Sequence, residues 1–104
     1  MKSLLIFTAV LFCQTSYAKK IVINQKDKAF DKTKVEAKLG DVLEFKNNDP
    51  FQHNVFSFSE GNVFDLQTQD PGKSTPITLD PKKFKGGKMK VECAIHPEMV
   101  LEVN

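Results

Sequence analysis

The chain has 104 residues, with 15 lysines, no arginine and 13 acidic side chains, so its formal net charge at pH 7 is +2. This length suffices for one small domain but not for two. A nearly balanced charge argues against nucleic-acid binding. The absence of arginine strengthens that argument, because arginine makes the bidentate contacts to bases and phosphates.

The first 18 residues have the pattern of an export signal. Lys2 gives the positive start, and residues 4–12 ("LLIFTAVLF") form the apolar middle. Ser16 and Ala18 stand at the two small-residue positions that a signal peptidase tests. We expect cleavage after Ala18 and a periplasmic product. Because the apolar run is shorter than the roughly 20 residues that a membrane-spanning helix needs, we expect no membrane insertion.

Cleavage would leave residues 19–104 as a single domain with one cysteine, Cys93. Cys13 would be removed with the signal, and the bulky Phe12 before it argues against the alternative of a lipoprotein. One cysteine cannot form an intramolecular disulfide. An exported lone thiol is a liability unless it is buried, ligated or catalytic, so Cys93 is the first indication of a metal site.

Short runs of alternating apolar and polar residues follow the signal. They are separated by turn residues such as Gly40–Asp41, and alternation of this kind predicts antiparallel strands with one buried face. The runs cover residues 19–24, 33–39, 42–47, 53–58, 74–79, 88–93 and 99–104. Residues 59–70 lack the alternation and predict a short helix or a loop.

The run of short strands predicts an all-β protein. The expected architecture is a Greek-key β-sandwich of about seven or eight strands. The chain has nine phenylalanines and no tryptophan, so we expect phenylalanine to supply the bulky side chains of the core.

Cys93, His96 and Met99 follow one another at intervals of three residues in "CAIHPEM", and the one other histidine is His53. A tight turn after a strand-ending cysteine lets these three side chains converge, with the fourth delivered from another strand. Structural zinc prefers four cysteine and histidine ligands, and calcium and magnesium prefer oxygen. Two imidazoles, a thiolate and a weak thioether instead describe a blue copper site.

Each of these residues also has a plainer interpretation. A lone cysteine is usually a small buried hydrophobe. Met99, with Leu101 and Val103 behind it, fits a core strand, and a histidine in a turn is usually solvated. These interpretations leave unexplained why the one mature cysteine and both histidines fall into a single set of potential ligands, so we favour the metal site.

The segments "KVEAKLGDVLEFKNND", "HNV" and "CAIHPEM" resemble the cupredoxins of the plastocyanin and amicyanin group, over nearly the whole of residues 19–104. The spacing C-x2-H-x2-M is similar to that of amicyanin. The resemblance implies one type 1 copper ion, with His53, Cys93 and His96 as strong equatorial ligands and Met99 as the weak axial ligand.

The resemblance also implies roles for the neighbours of these ligands. Asn54 matches a position that hydrogen-bonds across to the ligand loop and tethers Cys93, and Pro97 follows His96 as in amicyanin. The ring edge of His96 would reach the surface and pass electrons, within a docking patch that includes Phe51 and Pro97. Two departures, Val91 in place of an aromatic residue and no glycine after Met99, leave the nearest relative open.

The implied function is the transfer of single electrons by cycling between Cu(I) and Cu(II), by a monomer that is not an enzyme. Partners would be redox proteins such as a dehydrogenase, a reductase or a c-type cytochrome. A periplasmic copper carrier with the same fold is the main alternative, and a metal-free binding module is another. The lysines at 82, 83, 85, 88 and 90 either steer an acidic partner or protect a solvated strand edge.

Overall fold

The structure is a computed structural model that describes residues 18–104, so all of the predicted export signal (residues 1–18) except Ala18 lies outside the described residues. Within this range the chain forms nine strands and no α-helix. The strands are β1 (Lys20–Lys26), β2 (Ala29–Phe30), β3 (Lys34–Val35), β4 (Val42–Asn47), β5 (His53–Ser59), β6 (Asn62–Gln69), β7 (Ser74–Thr78), β8 (Met89–Cys93) and β9 (Val100–Val103). No helix between residues 18 and 104 is long and apolar enough to cross a membrane.

The strands form two sheets, in the orders β2-β1-β4-β7 and β3-β9-β8-β5-β6. The all-β prediction is confirmed, and the count of nine exceeds the predicted number because β2 and β3 have only two residues each. The prediction of antiparallel strands is incomplete. β1 pairs with β4 and β3 pairs with β9 in parallel, while the other neighbouring strands are antiparallel.

The core lies between the two sheets and follows the alternation of each strand. In β4, for example, Leu43 and Phe45 are fully buried, whereas Lys46 is exposed. Fully burying one such side chain contributes about 1.5–3 kcal/mol. Phenylalanine supplies part of the core, as predicted. Four of its members are buried (Phe30, Phe45, Phe64 and Phe84), but Phe58 on the outer face of β5 is 70% exposed.

Residues 59–70 contain β6, which is the longest strand in the described part of the chain, so the prediction of a helix or loop there is wrong. The strand keeps its alternation only from Asn62 to Asp65. A register shift in its pairing with β5 lies between Asn54 and Phe56, and Gln67 has a φ of 58°. A bulge of this kind shifts the inward–outward phase of a strand, which removes the period-2 signal from the sequence.

The predicted strand over residues 33–39 is also shorter than expected, because only Lys34–Val35 pairs with a neighbour. After it the chain turns at Gly40, which has a φ of 95°. The buried carboxylate of Asp41 accepts the backbone amide of Lys38 at 2.8 Å and that of Lys19 at 3.0 Å. These bonds hold the turn against the start of β1.

The sandwich brings the start of β5 and the end of β8 to the same place. The two strands are antiparallel neighbours, and Val55 pairs with Cys93. His53, at the start of β5, therefore lies beside the last residue of β8. The loop of residues 94–99 then returns the chain into β9.

Candidate metal site

Three side chains converge at this edge of the sandwich. His53 is fully buried, Cys93 is 2% exposed, and His96 lies half-buried in the loop after β8. The Sγ atom of Cys93 is 3.7 Å from Nδ1 of His53 and 3.7 Å from Nδ1 of His96. The two Nδ1 atoms are 3.2 Å apart. The structure thus brings together three of the four predicted ligands as a potential metal site.

The spacing of these atoms fits three donors to one ion. Donors at roughly 2.0–2.3 Å from a metal and about 120° apart are separated from one another by about 3.5–3.8 Å. The observed separations of 3.2–3.7 Å are close to this range. The chemistry of the donors is selective as well, because two imidazoles and one thiolate form the trigonal set of a blue copper centre.

The fourth predicted ligand, Met99, is 1% exposed and packs in the hydrophobic core together with Leu101 and Val103. Its backbone amide donates to the carbonyl oxygen of His96 at 3.0 Å. This bond closes the loop after Cys93 into a tight turn, as the spacing of the three loop residues predicts.

Asn54 bonds to the ligand loop through its backbone. Its amide N–H donates to Sγ of Cys93 at 3.3 Å, and its carbonyl accepts the amide of Ala94 at 3.0 Å. The side-chain amide points elsewhere and donates to Oδ1 of Asp65 at 3.0 Å. The link between Asn54 and the cysteine sulfur therefore depends on the path of the main chain.

Asp49 is a residue of this site that the sequence analysis missed. Its carboxylate is 4% exposed, and its Oδ2 lies 2.7 Å from Nε2 of His53. An Nε2–H that donates to a carboxylate leaves the Nδ1 lone pair free, facing Cys93. The sequence offers one signal that could have identified it, because Asp49 is the sole acidic residue between β4 and β5.

The surface beside the site is apolar. The half-buried ring of Phe51 has its centroid 5.4 Å from those of both His53 and His96. Pro97 and Ile95, on either side of His96, are exposed. The structure therefore brings the two predicted patch residues, Phe51 and Pro97, to the vicinity of His96. The Nζ atom of Lys28 lies 5.7 Å from the Phe51 centroid and adds one positive charge at the rim.

Comparison with known proteins found no matching family model. Among curated proteins, the chain is similar to "Methylamine utilization protein MauL" of Methylorubrum extorquens, with 32% identity over 69 residues. The match covers 65% of this chain and 57% of MauL, so it spans less than two thirds of that relative.

Several solved structures have a similar fold. The match to amicyanin from Paracoccus versutus covers 81% of this chain and 78% of the amicyanin chain, with a TM-score of 0.69 and 20% identity. A purple cupredoxin from Nitrosopumilus maritimus matches 81% and 97%, with a TM-score of 0.65 and 20% identity. A copper-containing nitrite reductase from Thermus scotoductus has a TM-score of 0.68 and 21% identity, but the match covers only 21% of that enzyme. The chain therefore has the fold of the cupredoxins.

Proposed function

We propose that this protein binds one type 1 copper ion and carries single electrons between redox partners by cycling between Cu(I) and Cu(II). The observation that carries the proposal is the convergence of two imidazole nitrogens and one cysteine sulfur, 3.2–3.7 Å apart, at the edge of a cupredoxin sandwich. The similarity to MauL and to amicyanin, whose solved structures include Cu(I) forms, supports the same function.

In this proposal His53, Cys93 and His96 are the strong ligands and Met99 is the weak axial ligand. The bound copper supplies the one-electron chemistry. Thiolate and thioether suit Cu(I), while imidazole suits both oxidation states. The protein holds the donors in place. His53 and Cys93 lie on paired strands, and His96 lies on a loop closed by the bond from Met99.

We propose no enzymatic reaction at this site. The four ligands would leave no open coordination position for a substrate, and catalytic metal sites keep such a position. The similarity to nitrite reductase does not oppose this, because the match covers about a fifth of that enzyme.

Electrons would enter and leave through His96, which is the one half-buried member of the three-residue cluster. The apolar surface formed by Phe51, Ile95 and Pro97 would dock a redox protein such as a dehydrogenase, a reductase or a c-type cytochrome. Small, largely apolar contacts suit such partners, because electron-transfer complexes are among the smallest interfaces. We expect the protein to act as a monomer.

We also infer export to the periplasm and cleavage after Ala18. Cleavage there would convert the backbone amide of Lys19 into an α-ammonium group. This nitrogen lies 3.0 Å from Oδ1 of Asp41, a carboxylate only 2% exposed, so the new charge would have a partner. The mass of the protein recovered from the periplasm tests the inference. Loss of residues 1–18 is expected, and an intact leader or another cleavage position would contradict it.

Addition of Cu(II) to the metal-free protein tests the copper function. We expect an intense blue thiolate-to-copper absorption that disappears on reduction and returns on oxidation. Cys93→Ser is the matched control, because it keeps the size of the side chain and removes the sulfur that gives the colour. Colourless binding of Cu(I) with ready release would instead support a copper carrier. A protein that binds no copper would support a metal-free module.

A further inference from the structure

The turn between β1 and β2 is bonded to the candidate metal site through one carboxylate. Asp27 and Lys28 form this turn, with φ values of 54° and 58°. The amide of Asp27 donates to Oδ1 of Asp49 at 2.6 Å, and the amide of Lys28 donates to Oδ2 at 3.2 Å. Because Oδ2 also lies 2.7 Å from Nε2 of His53, the turn and the histidine share one anchor.

The turn holds a costly backbone conformation. A left-handed conformation costs a non-glycine residue roughly 1–2 kcal/mol, and both turn residues adopt it without being glycine. The same conformation aims two successive N–H groups at Asp49. The hairpin accounts for this conformation, because Lys26 pairs with Ala29 and a two-residue turn of this type requires a positive φ at both positions.

Asp49 is suited to carry a full negative charge in this position. Its Oδ1 accepts the backbone amide of Asp27, and its Oδ2 accepts that of Lys28 and lies within hydrogen-bond distance of His53 Nε2. Backbone N–H donors of this kind favour the charged form of a carboxylate.

An ionised carboxylate on Nε2 changes what Nδ1 can do. It fixes the ring orientation and the tautomer, and it makes Nδ1 a more basic donor. It also places a negative charge next to the ring that faces Cys93. Both effects stabilise the more highly charged Cu(II) relative to Cu(I).

We propose that Asp49 is a positioning residue, which directs His53 Nδ1 toward the metal and lowers the reduction potential of the copper, and that the β1–β2 turn holds Asp49 in place for this task. The inference rests on the proposed copper function. It adds a supporting role for a hairpin turn that would contribute no ligand.

Replacing Asp49 with asparagine tests the inference. The side chain of the Asp49→Asn variant is neutral. Its NH2 group is itself a donor and would face N–H donors that a carboxylate oxygen accepts in the unsubstituted protein. Loss of such a partner of a ligating histidine typically reduces metal affinity 10–100-fold. We expect Cu(II) affinity to fall by this amount and Cu(I) affinity to fall less. Each tenfold change in the ratio of the two affinities raises the one-electron potential by about 59 mV.

Asp31→Asn is the matched control. Asp31 lies just after the same hairpin and accepts the backbone amide and the side-chain amide of Asn24, both at 3.0 Å. The substitution is chemically identical, but Asp31 has no bond to His53. We expect its potential and blue absorption to equal those of the unsubstituted protein.

An unchanged potential in copper-loaded Asp49→Asn would overturn the inference and leave the copper function standing. Failure of the unsubstituted protein to bind copper would overturn both. If the Asp49→Asn variant does not fold, 15N NMR of the unsubstituted Cu(I) protein tests the hydrogen bond between Asp49 and His53 directly. We expect a slowly exchanging Nε2–H on His53, and a freely exchanging proton would contradict the anchor.

Discussion

Two hydrogen bonds at the candidate metal site, one of them to the sulfur of Cys93, would shift the redox balance of a bound copper in opposite directions. The sulfur accepts the amide N–H of Asn54 at 3.3 Å, which withdraws electron density and favours the reduced state of a bound copper. Across the site, His53 contacts the Asp49 carboxylate at 2.7 Å, which would favour the oxidised state. If copper binds as we propose, its reduction potential would therefore depend on groups that are not ligands.

At the same scale, Met99→Leu separates the two interpretations of Met99. A swap of similar volume in a core costs less than about 1.5 kcal/mol, so the protein should fold and stay blue. Leucine would leave a bound copper with one donor fewer and a more apolar environment, which disfavours the more highly charged Cu(II), so the potential should rise. Cyclic voltammetry of the copper-loaded variant measures this. An unchanged potential would mean that Met99 is only a core residue.

At the scale of the elements, the pairing of β5 with β8 does most to build the site, since Val55 and Cys93 are partners. Both strands follow from the alternation in the sequence. The buried face of β5 is nevertheless mixed, with His53, Val55 and Ser57, and its outer face carries two phenylalanines. The contact between Asn54 and the sulfur also follows from this pairing, since it uses the main chain.

Asn54→Ser tests whether the pairing is sufficient. The substitution removes the side-chain bond to Asp65, which is worth about 1 kcal/mol, and leaves the backbone N–H on the sulfur. We expect slightly lower stability and an unchanged position of the blue absorption band. A shifted band would show that the side chain also acts on the ligand loop. Urea unfolding and the visible spectrum measure the two effects.

The sequence predicts the elements better than their partners. Alternation identifies β4, β5 and β8, and the turn residues at Gly40–Asp41 mark a real turn. Alternation does not encode direction, so the parallel pair of β1 with β4 is invisible to it. The bulge removes the alternation from β6, so the sequence pattern does not identify that strand either. The proposed ligand residues are identifiable by type, whereas Asp49 becomes recognisable only when the fold places its carboxylate beside His53.

At the scale of the whole molecule, buried carboxylates make the fold sensitive to acid. The amide of Lys38 lowers the pKa of Asp41, burial raises it, and the amide of Lys19 lowers it further, so the pKa in the folded protein lies below the ordinary value of 3.8. A depressed pKa stabilises the folded state at pH values above the ordinary one. This contribution is lost as the pH falls through the lower, folded value.

We therefore expect the urea concentration at the unfolding midpoint of the metal-free protein to decrease once the pH drops below about 4, near the pKa of an unperturbed aspartate. In Asp41→Asn the midpoint should be lower at pH 7 and should change less between pH 5 and pH 3. Urea unfolding across this pH range measures both slopes. Equal slopes in the two proteins would remove Asp41 from the explanation.

The lysine cluster at residues 82–90 contributes little long-range attraction for a partner at the candidate metal site. Lys88 directly precedes β8 and Lys90 lies within it, and Lys88 is separated from Cys93 by about 16 Å of strand. This distance is about twice the screening length of roughly 8 Å at physiological ionic strength. Lys90 is also paired with Glu92 at 3.3 Å. The structure thus favours a solvated surface over a steering surface for this cluster. That surface is not a strand edge at β8, because β8 lies between β9 and β5.

Replacing Lys85 and Lys88 with glutamine tests this interpretation. At 0.15 M salt we expect less than a twofold change in the rate of electron exchange with a redox partner, because screening already suppresses the field. Stopped-flow kinetics at low and physiological salt measure the effect. A large loss of rate at 0.15 M salt would support steering by these lysines.

The burial of Cys93 has a consequence for the protein before any metal binds. Because the residue is only 2% exposed, it offers almost no surface to another protein's thiol or disulfide. Exchange with a disulfide needs access to the attacking sulfur. If the protein is exported as we propose, its metal-free form would therefore resist the formation of mixed disulfides in an oxidising environment. The rate of that reaction would be set by the rate at which the sandwich opens.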